Sequence, residues 1–175
     1  MQKCRPTLCA GPCEPVPMNR AQTRKISRIE QVDKTHAAVL SGLHAASFED
    51  PWSAAAIAAM FDVPGLIALL ATQRDAPEGF LLARFVAGEA EILSIGVLPA
   101  ARGSGTGMAL LDRLHAFVRE KTSAPGLLLD VAADNQPALA LYEKAGYKQV
   151  GRRKAYYRKP NGVFVDSLTM RCDFA

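Results

Sequence analysis

Apolar positions change their period several times along this chain, and each change marks a predicted element. Ile26, Ile29 and Val32 suggest a first strand, after which residues 35–47 carry apolar side chains at helical spacing. Ser53, following Pro51 and Trp52, is a suitable N-cap for a short Ala-rich helix ending near Phe61. Three strand-like runs follow at residues 66–72, 80–86 and 90–97, separated by turn-prone stretches at 74–78 and 87–89. This spacing predicts an antiparallel meander.

Helical period returns over residues 106–119, where Met108, Leu111, Leu114 and Val118 share one face and Leu110 and Phe117 widen it. Residues 126–131 read as a buried strand whose one charge is Asp130, and an interior carboxylate needs a reason. Asn135 then offers an N-cap, with Pro137 in the first turn and Gly146 as the stop. Two last strands are expected at 148–154 and 163–171, joined around Asn161 and Gly162. Residues 1–23 show no period and are rich in Pro and Cys, which predicts a loose extension, with Met18 a candidate alternative start. Residues 24–175 form one domain, with strands before and between helices, an α/β (α+β) pattern.

Composition narrows the class. Of 175 residues, 49% are hydrophobic and 22% charged, the balance of a single domain with a proper core. No apolar run has the length of a membrane span, and residues 1–17 are broken by Pro and Gly where a signal peptide would have an apolar core. A cytoplasmic location is expected. Cys4, Cys9 and Cys13 lack C-x-x-C spacing and accompanying histidines, and Cys172 stands alone in the final strand, so no metal site is expected. The net charge of +4 favours encounter with acidic partners without identifying them.

The most informative stretch runs from Ser94-Ile95-Gly96-Val97-Leu98-Pro99 into Arg102-Gly103-Ser104-Gly105-Thr106-Gly107, a strand that ends in a glycine loop and opens a helix. Glycines let a ligand approach the backbone, and a helix start contributes N–H donors and positive dipole character, so such a corner suits phosphate. A Walker loop would place Gly-Lys-Ser/Thr at its end, but Gly105-Thr106-Gly107-Met108 contains no lysine. A dinucleotide fold would require G-x-G-x-x-G in a first βαβ unit. Here the spacing is G-x-G-x-G after a meander.

The run Arg102 to Gly107 instead resembles the R/Q-x-x-G-x-G/A signature of the GNAT acetyltransferases, with the V-x-P that commonly precedes it. The resemblance implies the GNAT acyl-CoA N-acyltransferase fold, a mixed, mostly antiparallel central sheet flanked by helices, with acetyl-CoA as cosubstrate and no metal. It also implies that backbone amides of Gly103, Ser104, Gly105, Thr106, Gly107 and Met108 hold the pyrophosphate, with Arg102 closing on the phosphates. The backbone of Ile95, Gly96 and Val97 would pair with the pantetheine arm. From about Ile26 to Met170 the chain further resembles the RimI-type ribosomal-protein-alanine N-acetyltransferases. Pro51-Trp52-Ser53, the run Asn135 to Tyr147 and Arg152-Arg153-Lys154-Ala155-Tyr156-Tyr157 carry that likeness.

Acetyl transfer to an amine requires a base for the nitrogen and an acid for the departing thiolate. By resemblance Asp130, where the family usually has glutamate, takes the amine proton through water, and Tyr142 protonates the thiolate. Asp130 could instead bind backbone amides or pair with an arginine, and Tyr142 could be core. Asn135 would present its amide to the cosubstrate while capping its helix. Trp52, Tyr156 and Tyr157 resemble residues lining the peptide site. His36, His44 and His115 are expected to be surface or structural residues.

The expected reaction is acetylation of a protein N-terminus, the N-terminal alanine of a small-subunit ribosomal protein, by a monomer or weak dimer. Small amines or protein lysines are the rival acceptors, and a non-catalytic acyl-CoA-binding module is the remaining alternative. The basic residues Arg152, Arg153, Lys154, Arg158 and Lys159 around the two tyrosines could touch RNA, but direct nucleic-acid binding would leave the glycine loop unexplained.

Overall fold

The computed structural model describes residues 28–174; the Cys-rich extension and Ile26 lie outside the described residues. Seven strands form one sheet, with β1 (Arg28–Gln31), β2 (Leu66–Gln73), β3 (Ala76–Val86) and β4 (Glu89–Val97) in sequential antiparallel order. β5 (Gly126–Ala132) lies parallel to β4, and β7 (Phe164–Asp173) sits between β5 and the edge strand β6 (Lys148–Arg158). Among the described residues the four α-helices are α1 (Ala37–Ala45), α2 (Ala54–Met60), α3 (Thr106–Lys121) and α4 (Gln136–Lys144). Ser53 caps α2 by accepting from the Ala56 amide, as its position predicts.

Alternation along the strands divides the core between two faces. Leu81, Leu127 and Leu129 pack with Leu110, Leu111, Leu114 and Val118 of α3, whereas Phe80 and Leu82 face Leu40 of α1 and Ile57 of α2. Each such buried side chain contributes about 1.5–3 kcal/mol through removal from water. Tyr142 of α4 joins the first of these layers. Met108, expected on the packed face of α3, is only partly buried because it lies in the first turn beside the glycine loop.

Two meander turns use left-handed residues, Arg74 and Asp75 at φ 51° and 64°, then Ala87 and Gly88 at 53° and 86°, as two-residue hairpins require. β3 begins at Ala76, so Glu78, read as turn, is a strand residue with 6% exposure. β6 extends to Arg158, which places Tyr156 and Tyr157 within the strand and corrects their expected position in the link to β7.

One feature of the sheet positions the site. The β4–β5 ladder runs from Ala90↔Leu127 to Ile92↔Leu129 and ends there. Leu93 is an extra residue against β3, because Leu82 faces Ser94 while Ala83 faces Ile92. Such a bulge bends its strand. Beyond it β4 stays with β3 as far as Val97 and β5 stays with β7 as far as Ala132, so a cleft opens between the two parallel strands.

Candidate active site

The glycine loop closes one end of this cleft. Gly103 and Gly105 have φ of 74° and 92°, and a Cβ built on either would meet nothing within 4 Å. Both therefore serve backbone conformation and leave open space above the chain. The first intrahelical bond of α3 runs from the Ala109 amide to Gly105, which leaves the Gly107 and Met108 amides ahead of the helical ladder. No side chain caps this helix start. The arrangement suits an anion at the positive end of α3.

A chain of hydroxyls fixes the loop from below. Ser104 Oγ, with one proton to share, lies 2.5 Å from the Ala101 carbonyl and 2.8 Å from Thr106 Oγ1, which donates to buried Glu78 Oε1 at 2.7 Å. Arg102 Nε donates to the Val97 carbonyl at 3.2 Å, so its stem braces the end of β4 and its guanidinium stays at the exposed rim. Gly96 has another origin: a Cβ there would come within 2.6 Å of the Phe80 ring and 2.9 Å of Ser47 Oγ. Close packing of Phe80 from β3 and of Ser47, just past α1, explains that glycine.

Asp130 and Tyr142 lie on opposite faces of the sheet. Leu127, Leu129 and Val131 point into the layer that holds Tyr142, so by alternation Asp130 points to the other face. There its Oδ1 accepts from Thr169 Oγ1 at 2.7 Å, and its Oδ2 pairs with the Arg153 guanidinium. The carboxylate is 23% exposed, less interior than the sequence implies, and it is paired with an arginine, one of the two arrangements considered beside a catalytic role. Tyr142 is 5% exposed and packs at 5.7 Å from the Tyr147 ring. Burial, with nearby Tyr157 adding to it, pushes its hydroxyl up to about 12. A tyrosine so placed keeps its proton through the neutral range.

Asn135 accepts from the Ala138 amide at 3.3 Å through Oδ1, which confirms the cap and leaves its NH₂ directed away from that bond. Trp52 stacks on His44 at 4.8 Å and borders an apolar cavity of ≈ 280 Å³ with Met60, Val63, Leu66, Arg84 and Leu93. A second cavity, ≈ 400 Å³, adjoins Arg84, Glu91, Leu128, Asp130 and Thr169 on the same face. Tyr156 is 52% exposed beneath Arg153, whose guanidinium lies 4.4 Å from the ring centre, and Tyr157 meets Tyr156 edge-on at 5.0 Å. His44 and His115 are buried, and His36 pairs with Asp33. Among the described residues no cluster of His, Cys, Asp and Glu could hold a metal ion, and no helix is long and apolar enough to cross a membrane.

Two contributors escaped the sequence pattern. Glu78 carries a weak signal, an acid immediately before the uncharged run that starts at Gly79. Arg153 carries none, since nothing in a basic run singles out the member that reaches Asp130.

Known proteins share this architecture. The ribosomal protein bS18-alanine N-acetyltransferase of Haemophilus influenzae is 38% identical over 94 residues, covering 54% of this chain and 63% of that protein. The N-alpha-acetyltransferase RimI of Mycobacterium tuberculosis is 42% identical over 85 residues, 49% of each. The chain thus spans between half and two thirds of the length of these curated relatives. The crystal structure of the Escherichia coli ribosomal-protein-S18-alanine N-acetyltransferase superposes with a TM-score of 0.79 at 25% identity, over 86% of this chain and 95% of that one. Arabidopsis thaliana NAA60 in complex with acetyl-CoA shares the fold, with a TM-score of 0.72 at 18% identity over 85% of this chain and 98% of that one. The sequence model of the acetyltransferase (GNAT) family matches residues 37–147, from the start of α1 past the end of α4, and with the cleft, the glycine loop and the sheet order it establishes this chain as a member of the GNAT acetyltransferase family.

Proposed function

We propose that the protein transfers acetyl from acetyl-CoA to the N-terminal α-amine of a protein, the N-terminal alanine of a small-subunit ribosomal protein, and works in the cytoplasm. The observation that supports this reading is the cleft between β4 and β5 with the open glycine loop that follows β4, Asp130 and Tyr142 lying on opposite faces of the sheet. The acceptor assignment draws on the ribosomal-protein-alanine acetyltransferases among the relatives.

Acetyl-CoA supplies an activated thioester. The open space over Gly103 and Gly105 and the amides at the start of α3 fit its pyrophosphate, with Ser104 and Thr106 holding the loop in shape and Arg102 at the rim. The backbone of Ile95, Gly96 and Val97 lines the cleft where a pantetheine arm can pair with it, and Asn135 presents its amide from the start of α4. Asp130 accepts the proton of the attacking amine through a water, while Tyr142 donates its hydroxyl proton to the departing sulfur. A nitrogen–carbon bond forms, a carbon–sulfur bond breaks, and one proton enters and one leaves the protein. Trp52, Tyr156 and Tyr157 border the face from which the peptide approaches.

The test is incubation of the purified protein with acetyl-CoA and a peptide beginning Ala-Arg, with the label located by mass spectrometry. Acetylation at the α-amine supports the assignment; modification confined to lysines or to polyamines in competition rejects it. Binding of coenzyme A without turnover of any amine would leave an acyl-CoA-binding module.

A further inference from the structure

Arg153 reaches Asp130 from a strand that is not its neighbour, since β7 lies between β5 and β6. A break in the β6–β7 register accompanies that reach. Arg153 faces Ser167 and Tyr157 faces Val165, so residues 154, 155 and 156 oppose the single residue Asp166. At the centre of this bulge Ala155 has φ 51°, a left-handed conformation that is unfavourable for a residue with a Cβ. Its amide donates to Asp166 Oδ1 at 2.8 Å, and Arg152 Nε donates to Asp166 Oδ2 at 2.6 Å. One carboxylate therefore ties the bulge on both sides. Bulges re-aim side chains, and a strained backbone kept in an edge strand points to a task for the side chains it aims.

Those side chains are Arg153 and Tyr156. The guanidinium lies over the Tyr156 ring at 4.4 Å and against Asp130, whose other oxygen is taken by Thr169. Stacking limits the rotation of the arginine, so both carboxylate oxygens have fixed partners. We propose that Arg153 is a positioning residue for Asp130: the bulge held by Asp166 delivers it across β7 to orient the carboxylate and balance its charge beside the cleft. The inference rests on Asp130 serving as the base of the proposed acetyl transfer. A short carboxylate acting through water depends on its orientation, which these contacts supply.

A double-mutant cycle distinguishes this role from a merely structural ion pair. Turnover is measured with whichever amine the wild type acetylates, so failure on the alanine peptide alone rejects the acceptor assignment and leaves the test of Arg153 intact. Arg153→Gln is expected to lower kcat on the order of 10- to 100-fold with the KM for acetyl-CoA little changed, and Arg153→Lys to recover part of the loss. In an Asp130→Asn background, Arg153→Gln should cause no further loss. Equal losses in both backgrounds, an unchanged kcat, or a rise confined to the acceptor KM would overturn the proposal, as would a wild type that acetylates no amine. Arg153 is half exposed, and circular dichroism checks that each variant is folded.

Discussion

Thr106 Oγ1 and Glu78 Oε1, from residues 28 apart in sequence, meet in a buried hydrogen bond of 2.7 Å that ties the first turn of α3 to β3. The bond fixes the glycine loop against the sheet, because the Thr106 oxygen, while donating to Glu78, can accept from Ser104 Oγ 2.8 Å away on the loop side. Thr106→Val keeps the branched shape and removes only the hydroxyl. The buried carboxylate then loses a donor, at a cost of about 1–3 kcal/mol. Urea denaturation should show that loss, and titration calorimetry should show weaker coenzyme A binding.

At Gly105 the φ of 92° and the open space around it separate strain from collision. Alanine there costs about 1–2 kcal/mol for the left-handed backbone, asparagine less, and valine more. Affinity for coenzyme A, measured by calorimetry, should fall in the order Gly, Asn, Ala, Val. Gly107→Ala behaves differently, because its Cβ would press only on the end of Leu141, 3.1 Å away. That variant should bind nearly as well as the wild type; a loss equal to that of Gly105→Ala would refute the strain argument.

Tyr142→Phe keeps the packed ring and removes the acidic proton. If the hydroxyl serves the departing thiolate, kcat should fall about 10²–10⁴-fold with little change in KM. Stability carries a separate signature. With its hydroxyl pushed from 10.0 to about 12, the folded state holds a proton that the unfolded chain releases. The stabilisation is complete below pH 10 and is lost as pH rises to about 12. The phenylalanine variant should show a shallower fall of Tm over that alkaline window.

Elements that bury one continuous face were legible in the residue pattern. α3 follows its apolar period, and the cap residues Ser53 and Asn135 both accept from their helices as their side chains suggest. Local chemistry sufficed there, since each signal lies within a few residues of its effect. The glycine loop was legible for the same reason, although Gly96 answers to Phe80 and Ser47, whose approach only the packed fold reveals. The surroundings of Asp130 were not legible. Its partners Arg153 and Thr169 are brought to it by sheet order and by a bulge centred on an alanine, a residue with no preference for the left-handed region. Exposed β6 likewise lacks the alternation that would have marked its full length.

Buried His115 makes acid the other limit of stability. Its Nε2 lies 3.0 Å from the Tyr147 hydroxyl, one donating to the other, and burial followed by Arg119 lowers its pKa against the weaker opposing effect of Asp112. Burial lowers His44 in the same direction. Below the ordinary histidine value of 6.5 the unfolded chain therefore binds more protons than the folded one. The contribution of these two histidines should be complete above pH 6.5 and should decline as pH falls through the lowered values. His115→Gln removes one titrating group and keeps an amide that can meet Tyr147. The variant should be less stable at pH 7 yet lose less on acidification, so its Tm–pH curve should converge on that of the wild type. Parallel curves would show that His115 does not drive the acid decline.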